Sequence, residues 1–185
     1  LALRSTLLID ALDEDALAAA ARTVADAVVI DLAAPGVHGS RPRAREQAAR
    51  AVAAIGATGR PVHVRVSDAR SGQFEADLDA VVVAGVGERL TGIVLSGTEA
   101  PQDARDLDVA IRKREMRNGI APGSIRLIPE IDSAEALTHL HRILDAVDRH
   151  SGVALSIDGL RDDMRLGDRA ATLYDHRRGR GDGAR

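Results

Sequence analysis

Short apolar runs recur along the chain, and each is followed by a segment in which apolar residues return with helical spacing. The runs occupy residues 3–9, 27–31, 62–66, 92–95, 125–131 and 153–157. The helical segments occupy residues 13–25, 43–57, 75–84, 102–117, 133–149 and 160–174. Strands that alternate with helices predict βα units and a parallel sheet. Because such crossovers are right-handed, the sheet is either a βα barrel or an open, doubly wound sheet.

The first βα turn and the strand ends favour the barrel. That turn reads IDALDEDAL and lacks the G-x-G-x-x-G of a dinucleotide-binding sheet. Polar residues lie instead at or near the ends of several strands, namely Asp31, Arg65, Asp132 and Asp158, as at the catalytic face of a barrel. A full barrel needs eight units and about 250 residues. The sequence therefore predicts an incomplete TIM-type βα barrel over residues 1–167, with an open flavodoxin-like sheet as the alternative.

Composition narrows the classes of function. Aromatic residues make up 1% of the chain and the net charge is −3, which argues against a nucleic-acid platform. Cysteine is absent, so disulfides, thiolate metal sites and a cysteine nucleophile are excluded. No apolar run reaches the roughly 18 residues of a membrane span, and the start does not resemble a signal peptide. We therefore expect a cytoplasmic protein.

Six segments carry a family resemblance. They read LRSTLLIDA, ADAVVIDLAAPGV with RPRAREQ, PVHVRVS, GIVLSG, RLIPEIDSAEAL and VALSIDGLRDDMRLG, in this order over roughly residues 3–167. In content and order they resemble the HpcH/HpaI aldolase and citrate lyase β-subunit family, of which the chain would be a divergent and shortened member. The resemblance implies a Mg²⁺-dependent βα barrel that makes or breaks a carbon–carbon bond next to a carbonyl. The implied substrates are 2-oxo acids or acyl-CoA thioesters.

The resemblance also implies site residues. Arg65 matches the arginine that meets the substrate's carboxylate or carbonyl, and its planar fork suits that role. Asp31 matches the first acid of the family's second strand and would contribute to substrate binding; a structural pairing with Arg4 or Arg65 is the alternative. Asp132 stands where the family has a metal-binding glutamate, and Asp158 matches the second metal ligand. Asp162 or Asp163 could align there instead.

Other positions depart from the family pattern. Ala33 and Ala34 replace a glutamate and an aspartate, and Gly97 replaces a lysine. The aspartate at position 132 is one methylene shorter than the family's glutamate, and a misplacement of about 1 Å can cost on the order of 100-fold in rate. Two functions therefore stay open. The chain is either a divergent carbon–carbon lyase or a catalytically impaired relative that acts as a binding or assembly subunit.

Structural roles compete with the metal role of the two aspartates. Asp132 could be a helix N-cap, with Glu135 completing a capping box, and Asp158 could cap the last helix. Arg43 and Arg45, at the start of a predicted helix, could meet a CoA phosphate or form a solvated face.

The C-terminal segment changes in composition. Residues 168–185 comprise the end of the last helix and a basic, Gly/Arg-rich tail that we expect to be disordered. An incomplete barrel leaves unpaired strand edges and apolar faces, which predicts a homo-oligomer.

Overall fold

A computed structural model of the chain describes residues 3–166. The strands are Thr6–Asp10 (β1), Ala27–Asp31 (β2), Val62–Val66 (β3), Gly92–Leu95 (β4), Arg126–Ile131 (β5) and Ala154–Leu155 (β6). The α-helices are Glu14–Ala20 (α1), Arg41–Gly56 (α2), Phe74–Val81 (α3), Pro101–Asn118 (α4), Ala134–Thr138 (α5), Leu140–Leu144 (α6) and Ile157–Asp163 (α7). Short 3-10 helices cover Pro35–Gly39 and Gly87–Arg89.

The six strands form one parallel sheet in the order in which they occur along the chain, from β1 to β6. A doubly wound sheet reverses its strand order at a switch point, so the flavodoxin-like alternative is wrong. The sheet curls into a half-barrel, and the prediction of an incomplete TIM-type barrel is confirmed. Within residues 3–166, β1 pairs only with β2 and β6 only with β5, so both outer edges are open.

Alternation along the strands separates the core from the inner face of the half-barrel. Ile30, Val64, Ile93 and Leu127 lie in register on neighbouring strands, and each is fully buried against the helices. The residues between them point to the opposite, inner face, because successive side chains on a strand alternate. The outer face therefore carries the hydrophobic core, and the inner face carries the polar residues of the strands.

A close approach between β4 and β5 requires a glycine. Gly92 lies in register with Arg126, and a Cβ built on Gly92 would come within 2.8 Å of the Arg126 carbonyl oxygen. Only a residue without a side chain fits there without moving one of the strands.

A buried ion-pair network lies at the amino end of β5. Arg149 donates from Nε to Asp108 over 2.7 Å and from Nη1 to Glu115 over 2.8 Å. Its Nη1 also donates to the carbonyl of Ile125, the residue before β5. Burial raises the pKa of Glu115, but hydrogen bonds from Arg149 and from backbone N–H groups outweigh burial, and the net pKa is lowered. The network ties α4, β5 and the loop after α6 together.

Three predicted helices differ clearly from those in the structure. The helix predicted over 13–25 ends at Ala20. The helix predicted over 133–149 is interrupted at His139 and forms α5 and α6. The Thr138 hydroxyl donates to the Glu135 carbonyl there, a local bond that competes with regular helix geometry. The helix predicted over 160–174 begins earlier, at Ile157, and ends at Asp163; residues 167–174 of that prediction lie outside the described residues, as does the predicted tail.

Within residues 3–166, no helix is both long enough and apolar enough to cross a membrane.

Candidate active site

Arg65 occupies the centre of a three-residue ion-pair cluster at the carboxyl ends of the strands. Asp31 ends β2 and lies in register with Arg65 on β3. The Nη1 atom of Arg65 donates to both oxygens of Asp31, at 3.0 and 3.2 Å. The Nε atom donates to Oε2 of Glu130 on β5, over 2.7 Å. Since β4 lies between β3 and β5, the Arg65 side chain reaches across β4 to contact Glu130. Its contacts therefore run from β2 to β5 on the inner face.

The cluster is largely shielded from solvent. The side chains are 21% exposed for Arg65, 9% for Asp31 and 13% for Glu130. Of the two pairings predicted for Asp31, the structure contains the one with Arg65, whereas Arg4 pairs with Asp26. Asp31 also accepts a hydrogen bond from the Ala33 N–H over 2.8 Å, which fixes its carboxylate to the loop after β2.

Glu130 is the site residue that the sequence reasoning missed. It lies two positions before Asp132, and the family motif placed the metal ligand on the latter. A signal was available in the segment RLIPEI, where one acid interrupts an apolar strand. A carboxylate on a buried strand needs a partner, and Arg65 was the basic residue inside another apolar strand.

The electrostatics of this end of the sheet are dominated by acids. Burial raises the pKa of Glu130, and the opposing charge of Arg65 does not cancel the effect. Burial also raises the pKa of Asp132, with further contributions from the charges of Asp163 and Asp68. For Arg65, burial disfavours the charged form, but Glu130 and Asp31 outweigh it and the pKa is raised. Several carboxyl groups therefore repel one another around the guanidinium.

Asp132 lies where β5 passes into α5, and α7 packs against it. The N-cap of α5 is Ser133, whose side chain accepts from the Ala136 N–H, so the capping role considered for Asp132 is wrong. A Cβ built on Gly159 of α7 would come within 2.8 Å of the Asp132 Cβ. Asp163, at the end of α7, accepts from the Ala134 N–H over 2.8 Å.

Asp158 lies in the first turn of α7 and faces solvent. Its side chain is 83% exposed and pairs with Arg161 at 3.2 Å. The N-cap of α7 is Ser156, so the capping role considered for Asp158 is wrong as well. Across residues 3–166, no group of three or more His, Cys, Asp or Glu side chains is arranged to hold a metal ion.

The two arginines considered for a CoA phosphate are both engaged by acids. Arg43 donates to Glu14 over 2.6 Å, and Arg45 donates to Asp77 over 2.8 Å. Both contacts link α2 to a neighbouring helix, α1 or α3.

Solved structures share the fold at low sequence identity. Malate synthase from Haloferax volcanii superimposes with a TM-score of 0.75 at 19% identity, over 88% of this chain and 53% of its own. Other structures of that enzyme are described as a magnesium/glyoxylate complex and a pyruvate/acetyl-CoA ternary complex. A citrate lyase from Burkholderia xenovorans LB400 gives 0.74 at 19% identity, over 95% and 57%. RipC from Yersinia pestis gives 0.66 at 20% identity, over 92% and 66%.

The match covers most of this chain but only part of each of those structures. The chain spans between about half and two thirds of each of them. A search of curated proteins finds no match to the chain. The family model described as HpcH/HpaI aldolase/citrate lyase matches residues 4–173, which is most of the chain. The chain therefore belongs to the HpcH/HpaI aldolase/citrate lyase family.

Proposed function

We propose that the chain carries a divergent carbon–carbon lyase site that acts on a 2-oxo acid or an acyl-CoA thioester with Mg²⁺. The observation that carries this proposal is the position of Arg65, whose guanidinium is held at the carboxyl ends of the strands by Asp31 and Glu130. In βα barrels this end of the sheet is where substrates react. Family membership supplies the class of reaction.

Arg65 is the group that binds the carboxylate or carbonyl of the substrate. Its Nε and Nη1 atoms are engaged by acids, whereas Nη2 has no acceptor among residues 3–166. A guanidinium that is already oriented by flanking carboxylates loses little rotamer entropy when a ligand arrives. Asp31 contributes to substrate binding by holding Arg65 in place, and the Ala33 N–H in turn holds Asp31.

Asp132 is the first proposed Mg²⁺ ligand and Asp158 is the second. The donor set suits a hard cation, because carboxylate oxygens are the ligands that Mg²⁺ prefers and two carboxylates with waters suffice. The crowding of Asp132 by Asp163 and Asp68, which raises the pKa of Asp132 together with burial, is a repulsion that a cation would relieve. When bound, Mg²⁺ would act as a Lewis acid on the substrate carbonyl.

A catalytically impaired relative, acting as a binding or assembly subunit, is the second candidate function. Its supporting observation is Asp158, whose side chain faces solvent and pairs with Arg161. Ala33 and Ala34 after Asp31 add to it, because neither side chain can supply an oxygen ligand. In either case we propose a homo-oligomer, since the β1 and β6 edges are open in residues 3–166. The cytoplasmic location expected from the sequence is part of the same proposal.

Calorimetry of Mg²⁺ binding, with and without pyruvate or oxaloacetate, tests the proposal. Wild type is compared with Asp132→Ala and with the control Glu46→Ala, which removes an exposed acid of α2. Heat that requires both the 2-oxo acid and Asp132, and that survives Glu46→Ala, supports the lyase. Absence of binding at millimolar Mg²⁺ overturns it and favours the impaired relative.

A further inference from the structure

We propose that Glu130 is a built-in competitor for Arg65, and that it sets the affinity of the site for carboxylate ligands. Its carboxylate occupies part of the guanidinium edge that a bound carboxylate would use. This inference rests on the carboxylate-binding role proposed for Arg65. Nothing in the family match assigns a role to position 130.

The geometry of the guanidinium carries the argument. A guanidinium offers two edges to a carboxylate, one formed by Nε and Nη2 and the other by Nη1 and Nη2. Glu130 accepts from Nε and so takes half of the first edge. Asp31 engages Nη1 with both of its oxygens, so a ligand on the second edge would share Nη1 with a carboxylate that repels it. A ligand on the first edge can form two parallel hydrogen bonds, through Nε and Nη2, only by displacing Glu130.

The two acids are not held equally. Asp31 has a second anchor in the Ala33 N–H, and its side chain is the more buried of the two. Glu130 has, among residues 3–166, no donor to its carboxylate other than Arg65. Displacing Glu130 therefore breaks one charge-assisted hydrogen bond, whereas displacing Asp31 breaks its contacts with Arg65 and with the loop. The incoming carboxylate takes the edge formed by Nε and Nη2.

The site therefore binds a carboxylate ligand more weakly than an arginine without acidic partners would. A ligand must recover the cost of releasing a carboxylate that stays nearby and repels it. A glutamine at position 130 keeps the shape of the side chain and removes its negative charge, so its amide oxygen holds Nε of Arg65 more weakly than the carboxylate does. We therefore infer that Glu130→Gln gains affinity for small carboxylates, an effect that a purely structural role would not produce.

Titration calorimetry with oxalate, on protein freed of metal ions by a chelating resin and without added metal or soluble chelator, tests this inference on the full chain. Glu130→Gln is expected to bind oxalate about tenfold or more tightly than wild type. The matched control is Asp68→Asn, which removes one negative charge from the same end of the sheet and has no hydrogen bond with Arg65. This control is expected to change the affinity by less than about threefold, as screened charges do.

Further variants locate the effect and protect the test against misfolding. Arg65→Met in the Glu130→Gln background must remove the gained affinity. Glu130→Asp, which keeps the charge and retracts the carboxylate from Nε, should lie between wild type and Glu130→Gln, and it replaces the glutamine variant if that one unfolds. Equal affinities of wild type and Glu130→Gln, no binding by any variant, or an equal gain in Asp68→Asn would each overturn the inference. None of these outcomes bears on the Mg²⁺ test, because no metal is present.

Discussion

Gly159 lies against Asp132, and a Cβ built on the glycine would come within 2.8 Å of the Cβ of Asp132 and 3.0 Å of the Ser156 Oγ. Real Cβ atoms do not approach so closely, so α7 can lie on the end of β5 only because position 159 has no side chain. No residue of α7 is buried. Three contacts hold this helix at the end of β5: the one with Gly159, the Asp163 bond to the Ala134 N–H, and the bond from the Ser156 N–H to the Ile131 carbonyl.

We predict that Gly159→Ala displaces α7 from β5. Alanine favours a helix over glycine by about 1 kcal/mol, so any loss of stability must come from the contact with Asp132. Amide hydrogen exchange is expected to become faster over residues 157–163 and at Ala134, and the melting temperature is expected to fall. The control is Gly152→Ala, where an added Cβ meets no atom within 4 Å. Unchanged exchange over α7 in Gly159→Ala would contradict the contact.

The strand pattern could be predicted from sequence because burial decides it. The bounds of β2, β3 and β4 agree with the predicted apolar runs, since a strand covered by helices reads as a continuous apolar segment. β6 is shorter than its run because only Ala154 and Leu155 pair with β5. The sequential strand order followed from the absence of a glycine-rich turn and from the polar residues at strand ends.

The site could be predicted only where a residue's role follows from its own type. Arg65 was found because an arginine between two valines of a strand needs an acidic partner or a ligand. Glu130 was missed although an acid inside an apolar strand was a signal, because the family motif pointed to Asp132 and the partner of Glu130 lies on a strand that is two places away in the sheet. The caps of α5 and α7 are serines rather than the neighbouring aspartates, since capping depends on backbone angles at a single residue.

A double-mutant cycle should show that Arg65 stabilises the inner face through its contact with Glu130. Arg65→Met leaves Asp31 and Glu130 shielded from solvent without a countercharge, and breaking such a buried pair costs about 3–5 kcal/mol. Glu130→Gln removes one of those acids, so its combination with Arg65→Met is expected to be more stable than Arg65→Met alone. Urea unfolding measures all four proteins. Strictly additive effects would show that the Nε contact with Glu130 carries no coupling energy.

The open edges predict self-association. Leu8 on β1 is 57% exposed and Leu155 on β6 is 50% exposed, and each strand pairs on one side only within residues 3–166. A second copy of the chain has the same two open edges, so β6 of one molecule can pair in parallel with β1 of another. Light scattering is expected to give a mass above 19.5 kDa, and Leu155→Lys is expected to lower it. Met116→Lys, on the exposed side of α4, is the control. A monodisperse monomer of the wild type would refute the interface.

Acid should weaken the protein partly through Glu115. The net pKa of this carboxyl is lowered in the folded state, where burial is outweighed by hydrogen bonds from Arg149 and the backbone. The folded state therefore binds fewer protons than the unfolded state between the folded pKa and the ordinary value near 4.5. The stability that Glu115 contributes is fully present above about pH 4.5 and is lost as the pH falls through the folded pKa.

Glu115→Gln tests this contribution. At neutral pH the variant is expected to lose about 3 kcal/mol, the lower end for removing one partner of a buried pair, because Arg149 keeps its bond to Asp108. Its stability should then fall less steeply than that of wild type below pH 4.5, since one proton-binding difference is gone. Urea unfolding between pH 7 and pH 3 measures both effects, with the exposed Glu46→Gln as the control. Parallel acid profiles for wild type and Glu115→Gln would place the acid sensitivity in other carboxyl groups.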